Sequence, residues 1–265
     1  MGNKFEDVTN SINYLAVKKI IEPYVSLPNK RLVFASSCSI YGASEGDPKK
    51  EFDTLNPITA YAKSKVAVEK ALQKCKMGDG TTATSLRFAT ACGMSDRLRL
   101  DLVLNDFVAS ALIHNRIEIL SDGTPWRPLI HVKDMSRAIE WAIHRDRNVA
   151  APYLAVNTGS SLWNFQVSDL AKAVAKILPN CEVSINTKGE PDKRSYKVNF
   201  DLFKTLAPSH TPIYTLSDTI SELVEGISEI RHLISDNFRA SDFMRLHILE
   251  NHLKNKRLSS DLRWI

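Results

Sequence analysis

A continuous apolar run that ends in a cluster of hydroxyl side chains constrains the fold of this chain most strongly. Leu32-Val33-Phe34-Ala35 contains no polar residue, and Ser36-Ser37-Cys38-Ser39 follows it directly. Such an uninterrupted apolar run is typical of a parallel strand that is covered on both faces. In open α/β sheets, ligands bind at the carboxyl ends of these strands. The sequence therefore predicts an α/β fold, a doubly wound parallel sheet, with polar atoms collected at a ligand-binding edge.

Helical and strand patterns alternate on both sides of this strand. Residues 11–25 carry apolar side chains at a spacing of four, which predicts an amphipathic helix. A helix over 61–75 and a strand over 84–89 complete a predicted β-α-β unit. Further strands are predicted at 117–120, 129–132, 153–157, 182–185 and 196–200, and further helices at 102–114, from a cap at Asp134, at 168–178 and from 217 onward.

The composition of the chain excludes several classes of protein. Its 265 residues are 43% hydrophobic and 25% charged, which argues against a disordered or fibrous chain. The net charge of +5 is scattered, so no nucleic-acid partner is predicted. The four cysteines have no Cys-x-x-Cys spacing, which predicts reduced thiols in the cytoplasm rather than a metal site or disulfides. No signal peptide or membrane-spanning stretch is predicted.

A tyrosine and a lysine four residues apart supply a candidate acid/base pair. Tyr61 and Lys65 fall one turn apart on the same face of a predicted helix. An ammonium near a phenol favours the phenolate, which lowers the tyrosine pKa from about 10 toward the working pH. Such pairs arise often by chance, and the hydroxyl cluster upstream strengthens the catalytic interpretation because it could hold the same substrate oxygen.

These motifs resemble those of extended short-chain dehydrogenase/reductases that act on nucleotide sugars, the NAD-dependent epimerase/dehydratase family. The family's Phe-x-Ser-Ser-x-x-x-Tyr-Gly and Pro-x-x-x-Tyr-x-x-x-Lys patterns match residues 34–42 and 57–65. The resemblance implies hydride transfer between a sugar carbon and NAD, with Ser37, Tyr61 and Lys65 as catalytic residues. It also implies that NAD is contacted by Ser36, Tyr61, Lys65 and Ala89.

Downstream matches of the same resemblance imply contacts with a nucleotide-sugar substrate. A Leu-Arg segment that ends in glycine places Thr90 near the sugar, and Asn105 is similar to an asparagine that faces the diphosphate. Arg127 matches an arginine of the family that would clamp a phosphate, a role that suits the planar guanidinium fork. Arg194 is a second candidate clamp.

Four other polar residues receive structural interpretations. His131 is expected to pack at a strand end, and Asp134 to cap a helix. Arg97 and Arg99 are expected to lie on a solvated face.

One departure from the family's pattern bears on the reaction. Members that eliminate water carry an Asp-Glu pair directly after the active hydroxyl residue, where this chain has Cys38 and Ser39. A thiol and an alcohol are poor general acids near neutral pH. Epimerisation, or simple oxidation and reduction, most often at C4, is therefore implied rather than dehydration.

A second departure concerns the cofactor. None of the ten glycines belongs to the Gly-x-x-Gly-x-x-Gly turn that grips the dinucleotide pyrophosphate. The resemblance implies that roughly the first 80 residues of a typical member, most of one mononucleotide-binding half, have no counterpart here. Three explanations stay open: an internal or misassigned start, a separate polypeptide that supplies this half, or a non-catalytic relative that binds a nucleotide sugar or a partner.

The resemblance also suggests a domain division and a partner. Residues 1–93 and 129–147 would form a partial NAD-binding domain, and residues 94–128 and 148–265 a smaller substrate-binding portion. Family members commonly form homodimers through the two helices that flank the active strand. Those helices are predicted here at 11–25 and 61–75, and their shared surface is expected to be apolar.

Overall fold

The computed structural model describes residues 4–44, 46–189 and 195–265. The strands in these ranges are β1 (Arg31–Ser37), β2 (Thr82–Phe88), β3 (Thr90–Cys92), β4 (Arg116–Ile119), β5 (Trp126–His131), β6 (Tyr153–Thr158), β7 (Asn164–Gln166) and β8 (Glu182–Ile185). The α-helices are α1 (Glu6–Asn10), α2 (Val17–Val25), α3 (Ala60–Lys74), α4 (Val103–His114), α5 (Val132–His144), α6 (Val167–Ile177), α7 (Asp201–Leu206), α8 (Leu216–Glu229) and α9 (Arg245–Lys254). A π-helical segment, Ser11–Ala16, joins α1 to α2 and makes one continuous first helix. Within the described ranges, no helix is long and apolar enough to cross a bilayer.

A parallel sheet with the order β1-β2-β6 forms the centre of the amino-terminal unit. β1 and β2 pair in register from Arg31 with Thr82 to Ser37 with Phe88, so their carboxyl ends meet at one edge. All seven residues of β2 are buried, because β2 has a strand on either side. The predicted α/β fold with a partial parallel sheet is confirmed.

Helices cover both faces of this sheet. Leu32 and Phe34 of β1 pack into a cluster with residues of α2 and α3. Val33, which points to the opposite face, packs into a second cluster with residues of α5 and α7. Because successive side chains of a strand point to opposite faces, burial on both sides explains the uninterrupted apolar run that the sequence shows.

A second unit follows directly, since only Ala89 separates the end of β2 from the start of β3. Its strands form two small sheets, with the orders β3-β5-β7 and β4-β8. Helices α4, α6 and α8 enclose a separate core cluster in which Leu104, Phe107, Leu129, Leu170 and Leu223 are buried. The carboxyl end of β2 therefore lies at the junction of the two units.

The structure differs from the sequence prediction at three strands. Residues 196–200 form no strand, and Val198 makes only a single bridge with Lys49. The short strands β3 and β7 are additions that the sequence patterns do not predict. β6, which lies within residues 148–265, pairs with β2 in the central sheet, as a parallel strand can after a long crossover. The division into two domains stays a prediction.

The start of α5 is capped by His131 and not, as predicted, by Asp134. His131 Nδ1 accepts the backbone N–H of Lys133 at 3.1 Å, and its Nε2 lies 2.5 Å from Glu222 Oε2. Asp134 Oδ1 instead accepts the backbone N–H of Ile213 at 3.1 Å. Both side chains thus tie α5 to the segment that contains α8.

Candidate active site

The hydroxyl of Ser37 lies where β1 leaves the sheet. Its Oγ accepts the backbone N–H of Ser39 at 3.2 Å and so caps the 3₁₀ turn Cys38–Tyr41. Serine is favoured in this role because its short side chain can bond to a nearby backbone N–H. The cap fixes the position of the predicted substrate-binding hydroxyl at the carboxyl edge of the sheet.

Tyr61 lies in the first turn of α3, beside this strand end. Thr59 caps the helix by accepting the backbone N–H of Ala62 on Oγ1 at 3.1 Å. The Ser37 side chain is close enough to Tyr61 to lower the pKa of its phenol. The tyrosine remains 40% exposed, so a ligand in the adjacent solvent can reach it. The structure therefore brings the predicted hydroxyl and phenol together.

Lys65 follows one turn later on α3. Its Nζ lies 5.2 Å from the centroid of the Tyr61 ring and 4.8 Å from that of Phe34. The same ammonium donates a hydrogen bond to the carbonyl oxygen of Ala35 at 2.8 Å. Lys65 is thus held between the strand and the tyrosine ring, and its contact with a nicotinamide ribose stays a prediction.

The electrostatics of Tyr61 differ from the sequence prediction. Burial raises the pKa of Tyr61, whereas the hydrogen bond with Ser37 and the positive charge of Arg99 lower it. Burial also lowers the pKa of Lys65. Ser37 and Arg99 thus lower the pKa of Tyr61 in this structure, and a lowering by Lys65 stays a prediction. Arg99, which was assigned to a solvated face, is part of the electrostatic environment of Tyr61.

A buried ion pair ties α3 to the strand ends. The Arg87 guanidinium on β2 donates to Glu69 on α3 through Nε at 3.1 Å and Nη2 at 2.7 Å, and the two side chains are 7% and 5% exposed. Burial alone would lower the Arg87 pKa, but the hydrogen bonds and negative charge of Glu69 raise it above its ordinary value. Ser36 Oγ donates to Glu69 Oε1 at 2.5 Å. The pair therefore fixes the helix that carries Tyr61 against β1 and β2.

The same network extends to β6. Arg87 Nη1 donates to the Tyr41 hydroxyl at 3.0 Å, and that hydroxyl donates to Asn157 Oδ1 at 2.7 Å. Sequence reasoning did not identify Glu69, although a signal was present. Tyr61, Lys65 and Glu69 recur every four residues and so share one helix face.

Two predicted cofactor contacts have their polar groups engaged within the protein. Ser36 is 3% exposed, and its hydroxyl bonds to Glu69. Ala89 is 4% exposed, and its backbone N–H donates to the Thr158 carbonyl at 3.1 Å. Both residues lie at the carboxyl edge of the sheet, but the Ser36 side chain is not offered to a cofactor. Any contact by Ser36 would have to use its backbone.

Asn105 fixes the segment that follows β3. It is 2% exposed; its Oδ1 accepts the Gly93 N–H at 3.1 Å, and its Nδ2 donates to the Arg99 carbonyl at 3.0 Å. These bonds give the amide a role inside the protein, and its contact with a diphosphate stays a prediction. Thr90, predicted near the sugar, opens β3 opposite Leu129 and is half-buried.

The two predicted phosphate clamps lie apart in the sequence, and only one is described. Arg127 on β5 is half-buried opposite Phe165 of β7, and its Nη1 donates to the Trp126 carbonyl at 2.9 Å. Arg194 lies outside the described residues. Phosphate binding by either arginine stays a prediction.

The model of the NAD dependent epimerase/dehydratase family matches residues 3–159. The match covers more than half of the chain, and the chain belongs to this family. Among curated relatives, a probable UDP-glucuronate 4-epimerase of Rhizobium meliloti is 32% identical over 167 residues, which are 61% of this chain and 46% of the relative. A UDP-glucose 4-epimerase of Lactobacillus helveticus is 26% identical, over 62% of this chain and 54% of the relative. The chain thus spans about half the length of these relatives.

Solved structures share the fold at lower identity. MoeE5 in complex with UDP-glucose and NAD has a TM-score of 0.69 and 23% identity, over 82% of this chain and 71% of that protein. UDP-glucuronic acid 4-epimerase from Bacillus cereus, in complex with UDP-glucuronic acid and NAD, has a TM-score of 0.67 and 20% identity, over 82% and 68% of the two chains. These likenesses establish a shared Rossmann-like fold.

Proposed function

We propose that this chain carries the acid/base site of an NAD-dependent nucleotide-sugar epimerase or oxidoreductase that works by reversible hydride transfer at C4 of the sugar ring. The supporting observation is the position of Lys65 at the carboxyl end of β1: its Nζ lies 5.2 Å from the centroid of the Tyr61 ring and donates to the Ala35 carbonyl oxygen at 2.8 Å. The Ser37 side chain, at the same strand end, lowers the pKa of Tyr61. The C4 assignment draws on the 4-epimerases among the curated relatives. The cytoplasm is the compartment we propose.

The residues at this edge fit the nicotinamide end of NAD. In parallel sheets a dinucleotide lies across the carboxyl ends of the strands, and the ends of β1 and β2 meet here. Lys65 and Tyr61 would hold the nicotinamide ribose, and the Ala89 backbone would border it. The glycine-rich turn for the pyrophosphate is not among the 265 residues, so we propose that another segment of this chain, or a second copy of the chain in a homodimer, supplies the pyrophosphate contacts.

Tyr61 would remove the proton from the sugar hydroxyl and later return it. Ser37 would donate a hydrogen bond to the reacting oxygen, while the phenolate of Tyr61 removes the hydroxyl proton. The charge of Arg99 favours that phenolate. The chemistry that NAD supplies when bound is acceptance and return of a hydride at the same carbon. Tyr61 would return the proton to the carbonyl oxygen, and hydride return to the opposite ring face yields the epimer.

Dehydration is disfavoured by the site as well as by the motif. Cys38 stands where water-eliminating members carry an acid, and it is completely buried. Burial raises the pKa of its thiol, which lies 3.0 Å from the Arg87 carbonyl oxygen. A leaving hydroxyl would find no proton donor in Cys38.

A second candidate is a non-catalytic nucleotide-sugar-binding or assembly protein. The pairing of β1 with β2 alone among the described strands favours it. A second chain could add a strand at the open edge of β1.

For a homodimer, the first helix offers exposed Ile12, Leu15 and Ile20. The expected apolar surface does not extend to α3, whose exposed side chains include Lys63, Lys70, Gln73 and Lys74.

Titration calorimetry with NAD, in the presence of UDP-glucose, tests the proposal against this alternative. We expect saturable NAD binding that Lys65→Met weakens roughly 10-fold or more, since hydrogen bonds from a charged group carry that much free energy. Lys63→Met is the matched control, because Lys63 lies on the same helix with its side chain 61% exposed. Binding of UDP-glucose without any binding of NAD would favour the non-catalytic alternative.

A further inference from the structure

A groove of about 540 Å³ lies between the first helix and α3. The two helices pack on the sheet through buried Ile21, Val25, Val68 and Leu72. The groove lies beyond this core, among side chains that are half-buried or exposed. A volume of this size is typical of sites for small molecules.

Four lysines and a single glutamate give the groove an excess of positive charge. Glu22 lies 3.5 Å from Lys18, so these two charges balance each other. The remaining lysines, Lys70, Lys74 and Lys76, are exposed and form no ion pair within the part of the chain that the structure describes. Like charges that are not balanced repel one another, and an anion bound between them relieves that repulsion.

The rest of the groove is neutral. Tyr14, Ala67 and Ala71 form an apolar wall, and Tyr14 and Ala71 also pack against the core beneath the two helices. The Tyr14 hydroxyl has no hydrogen-bond partner among the described residues, so it can donate to a ligand. A bound molecule can therefore place its anionic groups against the lysines and its less polar atoms against this wall.

The spacing of the lysines on α3 favours a ligand with more than one anionic group. Lys70 and Lys74 are one helical turn apart, so they share one face of α3, and Lys76 follows just beyond the helix end at Lys74. A lysine ammonium binds phosphate as a point charge, whereas a carboxylate is matched better by the fork of a guanidinium. Several ammoniums in one groove therefore favour a ligand that carries several phosphates.

The groove is distant from the candidate active site. Tyr61 lies in the first turn of α3, and Lys74 is the last residue of that helix. Because an α-helix rises about 1.5 Å per residue, Lys74 lies about 20 Å from Tyr61 along the helix axis. Ser26 and Cys75, which directly follow α2 and α3, also border the groove. The groove thus extends to the ends of the helices opposite to the end that carries Tyr61.

We propose that this lysine groove, lined by Tyr14, Lys18, Lys70, Lys74 and Lys76, is a binding site for a small molecule with several phosphates, separate from the site of the proposed function. Inorganic polyphosphate and a nucleoside triphosphate share this chemistry. Only the nucleotide has a ring that could pack on Tyr14 and the two alanines. A ligand that binds the folded chain also stabilises it against unfolding.

Titration calorimetry with sodium tripolyphosphate and with ATP tests this site. The variant Lys70→Met with Lys74→Met is compared with Lys19→Met with Lys204→Met, which removes the same charge at two exposed lysines outside the groove. We expect the first double variant to bind both probes about 10-fold more weakly than the wild type, since two exposed charge pairs contribute about that much. The control variant should keep the wild-type affinity. Because all four lysines are exposed, both variants should fold.

The affinities for the two probes identify the source of the ligand. Tighter binding of ATP than of tripolyphosphate would support the site and point to a nucleotide. Equal affinities would support the site and point to inorganic polyphosphate.

Several results would overturn the lysine groove as a phosphate site. Equal affinity of the two double variants would do so, as would absence of binding by the folded wild type. Displacement of tripolyphosphate by UDP or NAD would assign the probe to the active site instead. Failure to bind UDP-glucose and NAD, with tripolyphosphate still bound, contradicts only the proposed function.

Discussion

Tyr61→Phe is expected to lower kcat for nucleotide-sugar epimerisation by about 10²–10⁴-fold, the usual contribution of a positioned general acid/base. The substitution removes one oxygen atom from a side chain that is already 40% exposed, so the fold should be retained. Because Tyr61 would contact the reacting oxygen, the loss should appear in kcat more than in KM. The wild-type rate should rise with pH, since burial raises the pKa of Tyr61 and only the phenolate accepts the proton.

Tyr24→Phe provides the matched control for this experiment. Tyr24 is 38% exposed on α2, and its hydroxyl lies 3.5 Å from the Arg31 carbonyl oxygen. We expect near wild-type turnover from this variant. Similar kcat values for Tyr61→Phe and Tyr24→Phe would remove Tyr61 from the mechanism.

Glu69→Gln is expected to lower the free energy of unfolding by about 3–5 kcal/mol, because it leaves the Arg87 guanidinium buried without its counter-charge. Glu69 also accepts the Ser36 hydroxyl, so the end of β1 should loosen as well. Denaturant unfolding, followed by circular dichroism, measures the change. A double variant, Glu69→Leu with Arg87→Met, should lose less free energy of unfolding than the single variants Glu69→Leu and Arg87→Met lose in sum. Each single change leaves the other charged side chain buried without its partner.

The control is an exposed ion pair of the same charge types, which lies within one helix. Glu22 lies 3.5 Å from Lys18 on α2, and both side chains are about half exposed, at 50% and 44%. Glu22→Gln should cost less than about 1 kcal/mol, as exposed ion pairs do. A loss for Glu69→Gln as small as that for Glu22→Gln would mean that the buried pair does not hold α3 in place.

The part of the fold that sequence predicts well is the part governed by local periodicity. The apolar run at residues 32–35 falls within β1. The apolar side chains spaced by four over residues 11–25 lie within the continuous first helix. Tyr61 and Lys65 could be placed on one helix face because their spacing is helical. Each of these predictions needs only the residues of a single element.

What could not be predicted depends on contacts between distant elements. Glu69 meets Arg87 only because α3 packs over the end of β2, and Arg99 lowers the pKa of Tyr61 although the two residues are far apart in the sequence. Residues 196–200 have an alternating apolar pattern but make no ladder, since Val198 is bridged only once. A sequence pattern does not show whether a neighbouring strand lies where it could form backbone hydrogen bonds.

The central claim is that the Ser37, Tyr61 and Lys65 site epimerises a nucleotide sugar with NAD. Its most direct test is incubation of the chain with NAD and UDP-glucuronate or UDP-glucose, with the C4 epimers separated by chromatography. We predict that each sugar and its C4 epimer approach the same ratio from either direction, and that Tyr61→Phe stops the conversion. Unconverted nucleotide sugar, recovered from a chain shown to bind both ligands, would contradict the claim.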